Sequence, residues 1–144
     1  MQINQLTHIP FAFNKLKNLT TLMLFANQIR TVEDHDLIDL VKLDSLQLAG
    51  NPIEYIAPHA FSNNKKLQYI DLRQTKLQMV PEAVRYVPRL TTLDLHENTI
   101  DCSCRMSYLK GWNFTAVKTF TGNCQLQQTL TIKQYLLTQL PNCL

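Results

Sequence analysis

The sequence predicts an α/β solenoid: stacked coils that each place a short parallel strand on one face, closed at one end by a cysteine-bonded cap. Three observations predict it. Four segments share one apolar pattern at intervals of 24, 24 and 23 residues. Leucine supplies 23 of the 144 residues and glycine only 3, so one core residue dominates and tight-turn residues are scarce. All four cysteines fall after residue 100.

Composition excludes several classes. With 45% apolar and 17% charged residues, the chain is too rich in core residues for disorder. No run of about 18 apolar residues predicts a membrane span. Met1 is followed by Gln2, Ile3, Asn4 and Gln5, which is not the pattern of a signal peptide. Residues 1–100 carry 10 basic and 10 acidic side chains. The net +3 therefore arises from Arg105, Lys110, Lys118 and Lys133 against Asp101. That excess is too small for a nucleic-acid surface.

The four segments are LTTLMLFANQI from Leu19, LDSLQLAGNPI from Leu43, LQYIDLRQTKL from Leu67 and LTTLDLHENTI from Leu90. Each reads L-x-x-L-x-L-x-x-N-x-L. Leucines two apart, such as Leu22 and Leu24, put both side chains on one face of a short strand. A single coil cannot bury that face, so the coils stack and share a core. A polar column, Asn4, Asn27, Asn51, Thr75 and Asn98, is expected to satisfy backbone groups at the bend after the strand. Thr75 breaks the column and predicts a looser rung. Asn64 interrupts an apolar column and predicts a bulge or an exposed loop. Met1 stands where the third leucine of a coil belongs, since Asn4 and Leu6 follow at the repeat spacing. The array is therefore expected to start mid-coil, either as part of a longer chain or with its edge covered by another copy.

This repeat resembles the leucine-rich repeat family over residues 1–100. Its second halves are similar to the typical extracellular subtype: Leu6, Ile9, Pro10, Phe13 and Leu16 fit, as do Ile53, Ile56, Phe61 and Leu67, while Leu37 and Val84 replace the usual Phe. The resemblance implies a right-handed coil with the strands on its concave face. Residues 101–144 resemble the cysteine-rich C-terminal cap of such proteins, on the pattern C-x-C-x-x-x-Y-L-x-x-W from Cys102 to Trp112. Four cysteines alone allow three pairings; the resemblance implies Cys102–Cys124 and Cys104–Cys143. Zinc suits the spacing poorly, because zinc knuckles favour C-x-x-C, and no metal or other cofactor is expected. Arg105 to Trp112 is expected to form a short helix with Tyr108, Leu109 and Trp112 on one face. Disulfides point to an oxidising compartment. The sequons at Asn18 and Asn113 agree with an extracellular location as N-glycan acceptors.

Function is expected on the concave face, where strand residues alternate outward. The candidate ligand-binding residues are Met23, Phe25, Gln47, Tyr69, Asp71, Arg73, Asp94, His96 and Glu97. Met23 and Phe25 offer an apolar end; the others form a polar, net acidic cluster with the Tyr and Arg favoured at interfaces. No nucleophile motif or phosphate loop is present, and acidic groups on an open sheet lack a water-excluding cleft, so no enzyme is expected. His8, His35 and His59 show no metal spacing and receive no role. The resulting expectation is an extracellular recognition, adhesion or receptor module that binds a protein or glycoprotein ligand. Its architecture is similar to that of Toll-like receptors, Slit-type guidance proteins and variable lymphocyte receptors. Any membrane attachment would lie outside this chain. The alternative is a secreted matrix protein that self-associates through its N-terminal edge.

Overall fold

The computed structural model describes residues 5–144; the expectations for Met1 and Asn4 lie outside them. Each repeat forms a three-residue strand where its leucines alternate inward. In chain order the strands are β1 (Thr21–Met23), β2 (Thr31–Val32), β3 (Ser45–Gln47), β4 (Tyr55–Ile56), β5 (Tyr69–Asp71), β6 (Thr92–Asp94) and β7 (Thr119–Thr121). One parallel sheet has the order β1-β3-β5-β6-β7, and β2 pairs with β4 in a second. The principal register is unslipped: Leu22, Leu46, Ile70, Leu93 and Phe120 pair in turn. All five lie inward and are at least 92% buried. Leu24, Leu48, Leu72 and Leu95 extend this strip. The core is thus one slab repeated along the axis, as the leucine spacing requires.

The bend after each strand is secured by the polar column. Asn51 donates to the carbonyls of Leu24 and Leu48, both at 2.9 Å, and accepts from Ile29 N at 3.1 Å. Asn98 repeats all three bonds, and Asn27 repeats the acceptance, from Leu6 N, and the donation to its own coil, at Leu24 O. Thr75 cannot. Its hydroxyl donates to Asn98 Oδ1, and the Ile53 amide, which an asparagine there would receive, turns back to Asn51 O at 2.8 Å. The rung is rewired, with fewer bonds between coils. The residue before the column is left-handed in every coil: Ala26, Gly50, Gln74 and Glu97 have φ of 58, 72, 53 and 57°. Only Gly50 adopts this without the steric cost that a Cβ carries there.

Two expectations are corrected. Asn64 is no bulge: it is fully buried, and its Nδ2 donates to Leu37 O at 2.9 Å and Leu40 O at 3.0 Å. A buried amide here stitches adjacent coils where the apolar column is interrupted, as Asn14 does by donating to Asp36 O and accepting from Asp39 N. The helix expected from Arg105 to Trp112 is a 3-10 segment, Cys104–Leu109, with non-helical torsions at Met106. It buries Met106 and Leu109. Trp112 stands beyond its end and stacks at 5.9 Å from Phe120. Gly111, at φ 83°, lies between them and turns the chain.

The cap is joined by Cys102–Cys124 and Cys104–Cys143, the pairing that the resemblance implies. The helix α1 (Ile132–Thr138) opens with a capping box, Thr131 Oγ1 accepting from Gln134 N and Gln134 Oε1 from Thr131 N. It buries Ile132, Tyr135 and Leu136.

Asn51→Ala leaves the buried Ile29 amide and Leu48 carbonyl without partners and takes one of two bonds from Leu24 O, and is expected to lower unfolding free energy by about 3 kcal/mol. Thr75→Asn restores the column and is expected to raise it by about 1 kcal/mol. Urea denaturation followed by circular dichroism measures both, and a loss of stability in Thr75→Asn would contradict the rewiring.

Candidate functional site

The register of the sheet aligns the outward side chains into three columns. Thr21, Ser45, Tyr69, Thr92 and Thr119 are in line, and Met23, Gln47, Asp71, Asp94 and Thr121 run beside them. Phe25, Ala49, Arg73 and His96 follow the strands, one per coil. Every residue expected on this face is found there, but with unequal exposure. Met23 is 42% exposed and Arg73 exposed, while Phe25, Gln47 and Tyr69 are half-buried.

Asp71 departs from a simple surface role, since it is only 2% exposed. It lies beneath Arg73 and holds it twice: Nε donates to Oδ1 at 3.0 Å and Nη2 to Oδ2 at 2.8 Å. The Arg73 amide also donates to Oδ1, at 3.1 Å. Asp94 Oδ2 approaches Arg73 Nε at 3.5 Å from the next coil. The hydrogen bonds that Arg73 gives to Asp71, and then the Asp71 charge, raise the guanidinium pKa further above its ordinary range. Burial, followed by the Asp71 charge, raises the Tyr69 phenol. Both side chains therefore keep their protons and are available as donors.

Asp94 is the second anchor. Its Oδ1 accepts from Thr121 Oγ1 at 2.7 Å and from the His96 amide at 3.0 Å, and stands 3.1 Å from His96 Nδ1. Burial by itself raises the Asp94 pKa, but the bonds from Thr121 and His96 outweigh it, and the carboxyl is held below its ordinary value. Asp71, Arg73, Asp94 and Thr121 so form a chain of contacts across three strands, with the last supplied by the cap. The polar, net acidic cluster expected here spends most of its carboxylate oxygens internally. Glu97, at the end, accepts from Gln74 Nε2 at 2.6 Å.

Five of the expected residues, Phe25, Gln47, Asp71, Arg73 and Glu97, line one open depression of about 430 Å3 along the edge where the strands end. Ala26, Ala49, Gly50 and Gln74 complete it. His96 and Glu97 border a further depression of about 500 Å3 with Asn98, Asn123 and Gln128. Met23, Tyr69 and Asp94 lie on the sheet outside both. Sequence reasoning missed Gln74 and Thr121. The polar-apolar-polar alternation of Thr119-Phe120-Thr121 was the available signal for a fifth strand; the left-handed torsion that places Gln74 left none. Among the described residues no group of three or more His, Cys, Asp or Glu is arranged to hold a metal ion. His8, His35 and His59 lie exposed in turns.

These features define a class: a repeat solenoid whose open sheet carries a pre-set polar surface. Two matches of the leucine rich repeat family model, at residues 2–53 and 51–100, agree with the geometry, and the chain belongs to the leucine-rich repeat family. It is 34% identical to human leucine-rich repeat-containing protein 66 over 78% of this chain and 14% of that protein. It is 29% identical to the mouse high affinity nerve growth factor receptor over 66% of this chain and 12% of the receptor. Among solved structures, the Drosophila Toll–Spatzle complex aligns with a TM-score of 0.65 at 25% identity, over 69% of this chain and 15% of that one. The chain thus spans about one seventh or less of the length of these relatives.

The depressed pKa of Asp94 has a determined sign. A carboxyl that ionises more readily in the folded state stabilises the fold above its unfolded pKa, about 3.9, and loses that contribution as pH falls through the lower folded value. Asp94→Asn is therefore expected to melt below the native chain at pH 7, with the gap closing below about pH 4. Thermal melts across pH 2–7 check this, and a gap that widened in acid would contradict it.

Proposed function

We propose that this chain is an extracellular recognition module that binds a protein ligand on its concave sheet, without chemistry of its own. The observation that carries the reading is Arg73, held by a buried carboxylate beside Phe25 and Gln47 at the rim of the depression. An arginine fixed before binding loses little side-chain entropy on contact, and Tyr and Arg are favoured where interfaces concentrate their energy. Met23 and Phe25 supply an apolar anchor at the other end. Asp71 and Asp94 position their neighbours, while Tyr69, Arg73, His96 and Glu97 face the ligand. The similar proteins, a nerve growth factor receptor and Toll in complex with Spatzle, support a protein as the ligand class.

Two disulfides support an oxidising, extracellular setting, and no helix among the described residues is long and apolar enough to cross a membrane. Asn18 and Asn113 are both exposed, and Thr115 Oγ1 donates to Asn113 Oδ1 at 2.8 Å. We read both as N-glycan acceptors. They precede β1 and β7, away from the edge that carries the depression, and so leave it open. The chain secreted from animal cells is expected to lose the mass of two glycans on treatment with peptide N-glycosidase; an unchanged mass would overturn this.

A yeast-displayed panel of extracellular proteins, screened against the secreted chain, tests the concave reading. Tyr69→Ala with Arg73→Ala is expected to weaken a selected partner by about a hundredfold, the cost of two interface hot spots, with the melting temperature unchanged. Undiminished binding would overturn it. A chain that sediments as a dimer disrupted by Phe11→Glu would favour self-association instead, since Phe11 and Leu16, ahead of β1, are 58% and 52% exposed.

A further inference from the structure

A second feature lies on the side of the solenoid that carries β2 and β4. There the first two coils are tied together by backbone bonds, Glu54 N to Arg30 O and Ala57 N to Val32 O, both 2.8 Å. One coil further on, the position of Ala57 is taken by Pro81, which has no N–H to give. Gln78 makes no backbone bond to Glu54, and the Val80 amide turns instead to Met106 Sδ at 3.4 Å. The small sheet therefore stops at two strands. Lys76 N still reaches Ile53 O at 2.9 Å just before the gap, and the ladder bond itself reappears one coil later, with Asp101 N on Gln78 O at 2.7 Å. Between β4 and the third coil a cleft of about 250 Å3 opens.

Two tyrosines, Tyr55 (49% exposed) and Tyr108, line this cleft together with the apolar Ile56 and Met79 and the carboxylates Glu54 and Glu82. We propose that this cleft is a second recognition site, and that it takes the arginine side chain of a partner polypeptide.

The volume falls below the roughly 300–1,000 Å3 of small-molecule sites and suits one side chain. The missing donor at Pro81 leaves the Ile56 carbonyl without the bond that Ala57 gives Val32 in the preceding coil. A cation is matched by two carboxylates whose present partners are at the limit of contact, Arg30 on Glu54 at 3.9 Å and Arg85 on Glu82 at 4.0 Å. Tyrosine rings attract a guanidinium face. Burial, and then the charge of Glu82, raises the Tyr108 phenol to about 12. It stays protonated and donates to Val80 O, which holds the Tyr108 ring in place. A planar fork meets a carboxylate and a carbonyl together, which a lysine ammonium does less well. The cleft shares no lining residue with the concave depression, and it stands or falls independently of the concave reading.

Titration of isotope-labelled protein with N-acetyl-argininamide, followed by NMR, tests the site. Saturable shifts are expected at Tyr55, Met79 and Tyr108, with Gln47 and Arg73 unmoved. N-acetyl-norleucinamide, the apolar control, should produce none, and N-acetyl-lysinamide should bind more weakly. Tyr55→Ala and Glu82→Gln should each weaken the arginine derivative about tenfold, an interaction of about 1.4 kcal/mol. Tyr55 is exposed, so its variant is expected to keep the native melting temperature. Absence of shifts, equal shifts with the norleucine derivative, lysine binding as tight as arginine, or undiminished binding in both variants would each overturn the proposal.

Discussion

The structure depends on how each coil closes its bend. A leucine slab can stack on the next only if the chain turns sharply after the strand, and that turn removes backbone amides and carbonyls from water. Unpaired, each would cost about 1–3 kcal/mol. Asn27, Asn51 and Asn98 meet the need with an amide that both gives and accepts; Asn51 and Asn98 donate one coil back, and Asn27 accepts from Leu6 N there. The column thereby does two things: it satisfies the bend, and it sets the spacing and register of neighbouring coils. Asn14 both gives and accepts between coils elsewhere in the core, and Asn64 gives two bonds to the previous coil while its Oδ1 accepts none.

From that register follows the concave face. Because the strands do not slip, residues one repeat apart stand beside each other, about 4.8 Å apart. Contacts between Arg73 and Asp94, Asp94 and Thr121, and Gln74 and Glu97 all join neighbouring coils. A surface built this way is ordered before any partner arrives, so little conformational entropy remains to be lost on binding. The cap takes part in it. β7 closes the sheet edge, and its Thr121 hydroxyl helps to keep Asp94 charged. The disulfides hold that strand in place and thus bear on the recognition surface as well as on stability.

Irregularities in the repeat are equally informative. Thr75 in the asparagine column and Pro81 in the side ladder both fall in the third coil. The first redirects the Ile53 amide, and the second ends the β2–β4 sheet and opens a cleft. A solenoid of identical coils would have smooth sides; features specific to this chain arise where a coil cannot repeat the bonds of its neighbour.

Much of this was legible in the amino-acid order. The four-fold spacing determined the solenoid, its strands, its inward leucines and the outward columns, because periodicity alone decides which face each residue occupies. The cysteine pattern, through its family resemblance, pointed to the pairing. Tertiary structure decided what periodicity is blind to. Asp71 and Arg73 are both outward by position, yet one is buried beneath the other, since exposure depends on the size of neighbours in adjacent coils. Asn64 looked like a defect until Leu37 and Leu40 offered it two carbonyls from the previous coil. Gln74 entered the depression through a left-handed torsion that its side chain does not favour, and Thr121 joined Asp94 only when the cap was laid against the sheet. For Asn64 and Thr121 the deciding partner lies more than 20 residues away, and for Gln74 the turn imposes the torsion; neither is encoded in local pattern.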